Sequence, residues 1–209
     1  MTLNFKEEDK MDKNSYKEII SEQATEISKL KETAFVKLFC DLEDLDELLP
    51  SINFLKVPSA ECLNKQLIEA LLKRKRKIFV RTGAHETHRV LNALKKYKTE
   101  IILLHCISSY PMEDHDANLN IISLLDNIHS GPVGYSDHSI GIDVPVLAIG
   151  KGAHVIEKHF TIDQELPGRD NKFAILPKKF LELKKVIERY KKFNLVKKEK
   201  FIPQEIEIR

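Results

Sequence analysis

The sequence predicts an α/β fold, a partial TIM (β/α)8 barrel in which about six βα units are present. Three observations lead to this prediction. Short apolar runs alternate with segments of helical periodicity through most of the 209 residues. Successive runs begin roughly 20 to 30 residues apart, which is close to the repeat of an eight-unit barrel. Polar side chains follow the ends of these runs, where barrels of this kind carry their sites.

Six strands are expected, each from a short apolar run between turn residues. The second run stops at Pro58, and the third stops at Thr82 and Gly83. The fourth is almost uninterrupted apolar sequence, as in strands buried on both faces of a parallel sheet. The expected strands are Ala34–Phe39, Asn53–Val57, Lys77–Val80, Glu100–Cys106 and the runs that begin at Val133 and Val155.

The helices are expected where apolar residues recur three and four positions apart. Asp143 is expected to cap a helix that carries Pro145 in its first turn. The last helix begins at Pro177, a residue that suits the first helical position. The expected helices are Tyr16–Leu30, Asp44–Leu49, Lys65–Leu72, Thr87–Tyr97, Ala117–Ile128, Val144–Lys151 and Pro177–Phe193.

An open doubly wound sheet is the alternative architecture, because it too uses parallel strands flanked by helices. No glycine-rich turn follows the first expected strand, and this favours the barrel. We expect three regions: a polar segment and helix over residues 1–33, the partial barrel domain over 34–193, and a tail over 194–209.

Composition excludes several classes of function. The net charge of +2 gives no electrostatic signature of nucleic-acid binding. No apolar run approaches the ~20 residues needed to span a bilayer, and the polar N-terminus does not resemble a signal peptide. Cys40, Cys62 and Cys106 are widely spaced and form no C-x-x-C motif. They indicate reduced thiols in a cytoplasmic protein.

The strongest candidate site lies in the strand–helix–strand segment Val133–Phe160. Alternate residues of a strand share a face, so Ser136 and His138 point one way, and Glu157 and His159 also share a side. Neighbouring parallel strands bring both histidines to the same edge of the sheet. Two imidazoles at that edge suit a loosely held divalent metal such as Mn, Fe, Co, Ni or Zn. The alternative is a pair of hydrogen-bonded histidines without a metal.

A second group of side chains predicts an anion site. One lysine and several hydroxyl groups follow the strand ends, and together they suit a phosphate. The expected set is Lys56, Ser59, Thr82, Ser108 and Ser136. Glu61, near the end of the second strand, is a candidate general base or orienting carboxylate. The alternative for Lys56 is a side chain whose stem lies along apolar surface with its charge in water. The alternative for Glu61 is an ordinary surface glutamate.

Five sequence blocks resemble the sialic acid synthase (N-acetylneuraminate synthase) family, between about residues 34 and 192. The combination of a G-Y-S-D-H block with an I-E-K-H-F block is highly specific. The blocks are Lys56–Glu61, Leu104–Cys106 with Tyr110–Pro111, Val133–Ser139, Gly152–Thr161 and Leu166–Asp170.

The resemblance implies a transferase that condenses phosphoenolpyruvate with N-acetylmannosamine or a related N-acyl sugar and releases phosphate. It implies a TIM barrel followed by a small antifreeze-like domain, in a domain-swapped dimer that uses Mn or Mg. We therefore expect a homodimer or a partner chain. The implied residues are His138 and His159 for the metal, Glu61 for proton handling, Lys56, Ser59, Ser108 and Ser136 for phosphoenolpyruvate, and Tyr110 and Asp170 for the sugar.

The sequence also departs from the family. The first two barrel strands and the C-terminal domain have no counterpart, a threonine ligand is replaced by Leu38, and the serine before Thr82 is replaced by Arg81. The strand that carries His159 would then flank an open gap. We expect this chain alone to be a poor catalyst. The alternatives are a non-catalytic remnant, a subunit that completes a split barrel, and an unrelated metal-dependent lyase or aldolase.

Overall fold

A six-stranded parallel sheet forms the centre of the fold, and its strands lie in the order in which they occur in the sequence. The computed structural model describes residues 36–38, 54–75, 77–97 and 100–193. Each strand pairs with the next one along the chain, as in consecutive units of a barrel. The strands are β1 Val36–Leu38, β2 Phe54–Val57, β3 Lys77–Arg81, β4 Ile101–Cys106, β5 Val133–Asp137 and β6 Val155–Lys158.

The helices lie between the strands, as the alternation in the sequence predicts. Those described are α1 Lys65–Leu72, α2 Thr87–Leu94, α3 Asn120–Ile128, α4 Asp143–Gly150 and α5 Pro177–Phe193. The expected helices Tyr16–Leu30 and Asp44–Leu49 lie outside the described residues, as do the ends of the first expected strand, residues 1–33 and the tail.

Two helix starts differ from expectation. Asp143 is the first residue of α4 rather than its cap: Ile142 precedes the helix, and no side chain caps it by a hydrogen bond. An acidic residue in the first turn still complements the positive end of the helix dipole. Helix α3 begins at Asn120, three residues after Ala117, which follows a short 3₁₀ turn at Asp114–Asp116.

The core lies between the sheet and the helices. It forms because alternate residues of each strand point to the same face of the sheet. Leu55, Ile78, Leu103 and Tyr135 are fully buried, one from each of four adjacent strands. Gly134 permits the close approach of β5 and β6: a Cβ at this position would lie 2.5 Å from the carbonyl oxygen of Val155. The α/β partial barrel that the sequence predicts is therefore confirmed.

The backbone directly beyond β6 is covered beside His159, whereas β6 itself is the last strand of the described sheet, as the expected gap requires. The chain returns after a loop and makes a parallel bridge between Phe160 and Ile175. The backbone amide of Ile175 donates to the carbonyl of His159 at 2.8 Å, and the amide of Thr161 donates to the carbonyl of Ile175 at 3.1 Å. This return satisfies backbone groups beside His159 that an open edge would leave unpaired. Across the described segments, no helix combines the length and apolarity that crossing a membrane requires.

Candidate functional site

The candidate site lies at the carboxyl ends of the parallel strands. Successive strands from β2 to β6 each contribute one side chain that enters the same buried cluster. The five are Lys56, Arg81, Cys106, Ser136 and Glu157. Because the register is parallel throughout, these strand ends meet at one edge of the sheet.

An ion pair connects the second strand to the sixth. Lys56 Nζ lies 2.5 Å from Glu157 Oε1, although the two residues are 101 positions apart in the sequence. Ser136 Oγ donates to the same carboxylate oxygen at 3.0 Å. The Lys56 side chain is only 3% exposed and that of Glu157 14%. The two side chains are thereby fixed in one position, with the lysine charge held inside the cluster.

Arg81 is the second cation of the cluster and is 3% exposed. Its Nη2 donates to Tyr110 Oη at 2.5 Å and lies 2.8 Å from His138 Nε2. Its Nε donates to Cys106 Sγ at 3.5 Å. Among the described residues, no carboxylate lies within ion-pair distance of this guanidinium. A buried arginine that is held mainly by neutral groups retains capacity for an anionic ligand.

His138 and His159 lie side by side, as the sequence predicts, with ring centroids 5.4 Å apart. His138 Nδ1 lies 2.5 Å from the carbonyl oxygen of Ile107, so this nitrogen carries the proton and donates it. His159 Nδ1 lies 3.6 Å from Asp170 Oδ2, whereas His159 Nε2 is buried with no hydrogen-bond partner in the described structure. Tyr110 packs against both rings, at 4.2 and 5.7 Å between centroids.

This arrangement does not fit the divalent metal that the two histidines were expected to hold. His138 Nδ1 bonds to a carbonyl and His138 Nε2 faces the Arg81 cation, so only His159 Nε2 remains available as a ligand atom. Within the described ranges, no three His, Cys, Asp or Glu side chains are grouped to hold a metal ion. The metal therefore stays a prediction from the sequence, and we route no chemical step through it.

The electrostatics of the cluster favour an anion. Burial, followed by the Arg81 charge, lowers the pKa of His138 to about 3, so this imidazole is neutral at neutral pH. Burial opposes ionisation of Glu157, but Lys56 and Arg81 outweigh it and hold the pKa of this carboxyl well below its usual range. Lys56, Arg81 and Glu157 together carry one net positive charge in a desolvated position, where attraction for a negative ligand is strong.

A small cradle lies next to these charges at Gly83. A Cβ placed on Gly83 would lie 2.5 Å from Cys106 Sγ, 2.6 Å from Ser108 Oγ and 2.9 Å from Ser59 Oγ. Ser59 Oγ and Cys106 Sγ are themselves 3.3 Å apart. Only glycine lets the backbone approach these side chains so closely. The cradle thus presents two serine hydroxyls at one point of the rim.

The structure brings most of the expected residues together but not all. Lys56, Ser136, His138, His159, Tyr110 and Asp170 share the cluster, and Ser59 and Ser108 meet at the cradle. The Thr82 hydroxyl instead donates to the carbonyl of Leu104 at 3.3 Å. Glu61 accepts from Asn64 at 2.8 Å, and within the described residues no hydrogen bond or ion pair joins it to the histidines. The role expected for Glu61 stays a prediction.

Three members of the cluster were not among the expected site residues: Arg81, Cys106 and Glu157. Glu157 had a sequence signal, because it lies two residues before His159 on one face of a strand. Arg81 was identified only as a departure from the family pattern. Cys106 is the last residue of an apolar strand, and nothing in the sequence around it indicates contact with Arg81 or Ser59.

A buried ion pair supports the cluster from the opposite face of β5 and β6. Lys158 Nζ donates to Asp137 Oδ2 and, at 2.7 Å, to the carbonyl of Ser139. Ser139 Oγ also donates to Asp137 Oδ1 at 2.8 Å. Asp137 lies between Ser136 and His138 in the sequence, and Lys158 directly precedes His159. The pair therefore fixes both strand ends that carry the histidines.

We expect the free energy of unfolding to decrease as the pH is lowered through 6.5. In the unfolded chain a histidine binds a proton near pH 6.5, whereas burial holds the pKa of folded His138 at about 3 and that of His159 well below its usual value. The unfolded state therefore binds more protons in this range. His138 lowers the free energy of unfolding by about 1.4 kcal/mol between pH 7.5 and 5.5, and His159 acts in the same direction.

Urea unfolding at the two pH values measures this effect. His138→Gln should lose its share of the pH dependence, whereas His88→Gln, at an exposed position of α2, should keep all of it. A pH dependence of stability in His138→Gln equal to that of wild type would show that the lowered pKa of His138 does not cause it.

The parallel sheet with helices between its strands, and the basic, hydroxyl-rich cluster at its carboxyl ends, define the class as an α/β protein of the partial TIM-barrel type. Comparison with known proteins identifies the family. The NeuB family profile matches residues 4–199, and the chain belongs to the NeuB family. This confirms the resemblance found in the sequence.

Three relatives illustrate the match. The chain is 36% identical over 158 residues to the N,N'-diacetyllegionaminic acid synthase of Legionella pneumophila, covering 71% of this chain and 44% of that protein. It is 32% identical over 146 residues to the N-acetylneuraminate-9-phosphate synthase of Mus musculus, covering 68% and 40%. The solved N-acetylneuraminic acid synthetase of Leptospira borgpetersenii, in complex with citrate, superposes with a TM-score of 0.75 at 35% identity, covering 87% of this chain and 65% of that one. The chain thus spans less than half the length of these two curated relatives.

Proposed function

We propose that this chain forms the phosphoenolpyruvate-binding part of a synthase that condenses phosphoenolpyruvate with an N-acyl mannosamine-type sugar to give a nonulosonic acid and phosphate. One observation carries the proposal: Lys56 and Arg81, two buried cations, lie in one cluster with serine hydroxyls at the carboxyl ends of the strands. Family membership and the names of the relatives support this reaction class.

The chemistry matches the polarity of the cluster. The methylene carbon of phosphoenolpyruvate bonds to the aldehyde carbon of the open-chain sugar, and the aldehyde oxygen takes a proton and becomes a hydroxyl. Water then bonds to carbon 2 of the former phosphoenolpyruvate, and the bond from that carbon to the phosphate oxygen breaks. A ketone and free phosphate result. Both the substrate and the leaving group are anions, so a net positive, desolvated cluster stabilises them throughout.

We assign phosphate or carboxylate contacts to Lys56, Ser136 and the cradle serines Ser59 and Ser108. Lys56 provides a fixed charge, because Glu157 holds it in place. Tyr110 and Asp170 lie next to the histidine pair, on the side proposed for the sugar. The buried free thiols of Cys62 and Cys106 support a reducing compartment, and we place the reaction in the cytoplasm.

A second candidate is that this chain contributes strands to a barrel that another chain completes. The observation in its favour is the described sheet of six strands, where a closed TIM barrel has eight. Partner-dependent activity would distinguish this candidate from a chain that turns over as a homodimer.

Phosphate release by the purified chain, assayed with phosphoenolpyruvate and a panel of N-acyl hexosamines, tests the proposed function. Release that depends on both substrates is the expected result, from this chain or from this chain with a partner. No phosphoenolpyruvate binding and no release in either case would refute it.

Filling the cradle should weaken phosphoenolpyruvate binding. In Gly83→Ala the new methyl group would occupy the point where Ser59, Ser108 and Cys106 meet, so we expect affinity to fall at least about tenfold. Isothermal titration measures the change. Gly150→Ala is the matched control, because a Cβ there has no neighbour within 4 Å. Unchanged affinity in Gly83→Ala would show that the cradle does not hold the ligand.

A further inference from the structure

We infer that the guanidinium of Arg81 is the resident cation of this site and occupies the position next to His138 that a divalent metal would otherwise take. The chain would then bind its substrates without a metal at the histidine pair. The catalytic part of this inference rests on the proposed function, whereas the exclusion of metal does not.

The orientation of His138 supports the inference. Its Nδ1–H donates to the carbonyl of Ile107 at 2.5 Å, which fixes the tautomer and directs the Nε2 lone pair into the cluster. In metal sites this second-shell arrangement prepares an imidazole for its ion. Here Arg81 Nη2 lies 2.8 Å from His138 Nε2 and donates a hydrogen bond to its lone pair. A metal would have to displace the guanidinium to reach the same nitrogen.

The environment of Arg81 holds the guanidinium in this position. Tyr110 Oη accepts from Nη2, and Cys106 Sγ accepts from Nε, so these two hydrogen bonds and the contact with His138 hold one planar group. Burial opposes the charge, but Cys106, Glu157 and Tyr110 raise the pKa of Arg81 and keep it protonated. A divalent ion placed at His138 would meet this fixed positive charge at close range in a desolvated site.

Arg81 retains the donors that a carbonyl ligand needs. A guanidinium carries five N–H groups in a planar fork. Nε and Nη2 account for three of them, and Nη1 makes no hydrogen bond to any residue that the structure describes. The same guanidinium already contacts Tyr110, the residue proposed to contact the sugar, through Nη2. Arg81 would therefore stabilise the negative charge that develops on the aldehyde oxygen when the new carbon–carbon bond forms.

Titration of the full chain with Mn²⁺, followed by electron paramagnetic resonance of the free ion, tests the inference. Wild type should show no Mn²⁺ site at His138. Arg81→Ser removes the cation and frees the lone pair, so we expect Mn²⁺ affinity to rise at least about tenfold. Arg81→Lys keeps a positive charge and should not gain the site. Adding His138→Gln to Arg81→Ser should abolish the gain.

Two results would overturn the inference. One is that wild type and Arg81→Ser bind Mn²⁺ with equal affinity and that adding His138→Gln to either protein abolishes the binding. The other is the absence of any Mn²⁺ site in folded Arg81→Ser. Circular dichroism verifies the fold, and Arg81→Gln, judged by the same two results, replaces Arg81→Ser if the serine variant does not fold. Phosphoenolpyruvate binding is measured separately, so a failure of the proposed function leaves the Mn²⁺ result interpretable.

Discussion

Lys56→Met is expected to lower the free energy of unfolding by about 3–5 kcal/mol, because it leaves the Glu157 carboxylate buried without its counter-ion. The pair joins β2 to β6, and the Lys56 side chain is almost completely inaccessible to water. Ser136 would still donate a hydrogen bond to Glu157 Oε1, but it carries no charge. Thermal or urea unfolding measures the loss.

The double variant Lys56→Met/Glu157→Gln separates the ion pair from the rest of the fold. Because Glu157 no longer carries a charge that has lost its Lys56 partner, we expect the double variant to recover part of the stability, while Arg81 stays buried as the remaining cation of the cluster. Lys77→Met is the matched control, since Lys77 is exposed at the opposite end of β3. A single variant as stable as wild type would show that Glu157 is not held by this pair.

Lys158→Met is expected to destabilise the protein by a similar amount, about 3–5 kcal/mol. The side chain of Asp137 is fully buried, and that of Lys158 is 3% exposed. Removing the lysine takes the counter-ion from a buried carboxylate that keeps hydrogen bonds from Ser139, and it also removes a donor from the Ser139 carbonyl. The variant should also weaken phosphoenolpyruvate binding, because the pair fixes the strand ends that carry His138 and His159.

A surface pair gives the comparison for this prediction. Lys179 and Glu182 lie 2.8 Å apart on α5, but both side chains are at least half exposed. Lys179→Met should therefore change the free energy of unfolding by less than about 1 kcal/mol. Comparable losses in Lys158→Met and Lys179→Met would contradict the structural role given to the buried pair.

The alternation of residues along strands made much of the site predictable. A period of two places Ser136 and His138 on one face, and it places Glu157 and His159 together on the next strand. The order of the strands then brings these faces together at one edge, as the 5.4 Å separation of the histidine rings confirms. The strand bounds were also predictable, because buried parallel strands are nearly continuous apolar runs.

What the sequence could not give is which side chains meet across the barrel interior. Lys56 and Glu157 are 101 residues apart, and nothing local in either segment indicates the pairing. Arg81 presents the same difficulty, because its partners Cys106, Tyr110 and His138 lie 25, 29 and 57 residues further along the chain. The return of Ile175 onto the end of β6 was missed since it depends on the path of a loop rather than on periodicity. Glu61 was favoured by the resemblance, but a local hydrogen bond to Asn64 holds it in this structure.

Calorimetric titration of phosphoenolpyruvate into wild type and Lys56→Met/Glu157→Gln decides whether Lys56 lies in a phosphoenolpyruvate site. The double variant removes the Lys56 cation without leaving the Glu157 carboxylate buried beside an uncharged methionine, and Arg81 keeps its charge in both proteins. We expect saturable phosphoenolpyruvate binding by wild type and a loss of affinity of at least about 30-fold in the double variant, since removing a buried charge contact costs about 2 kcal/mol or more. Equal affinity in the two folded proteins, or no binding by wild type, would contradict it.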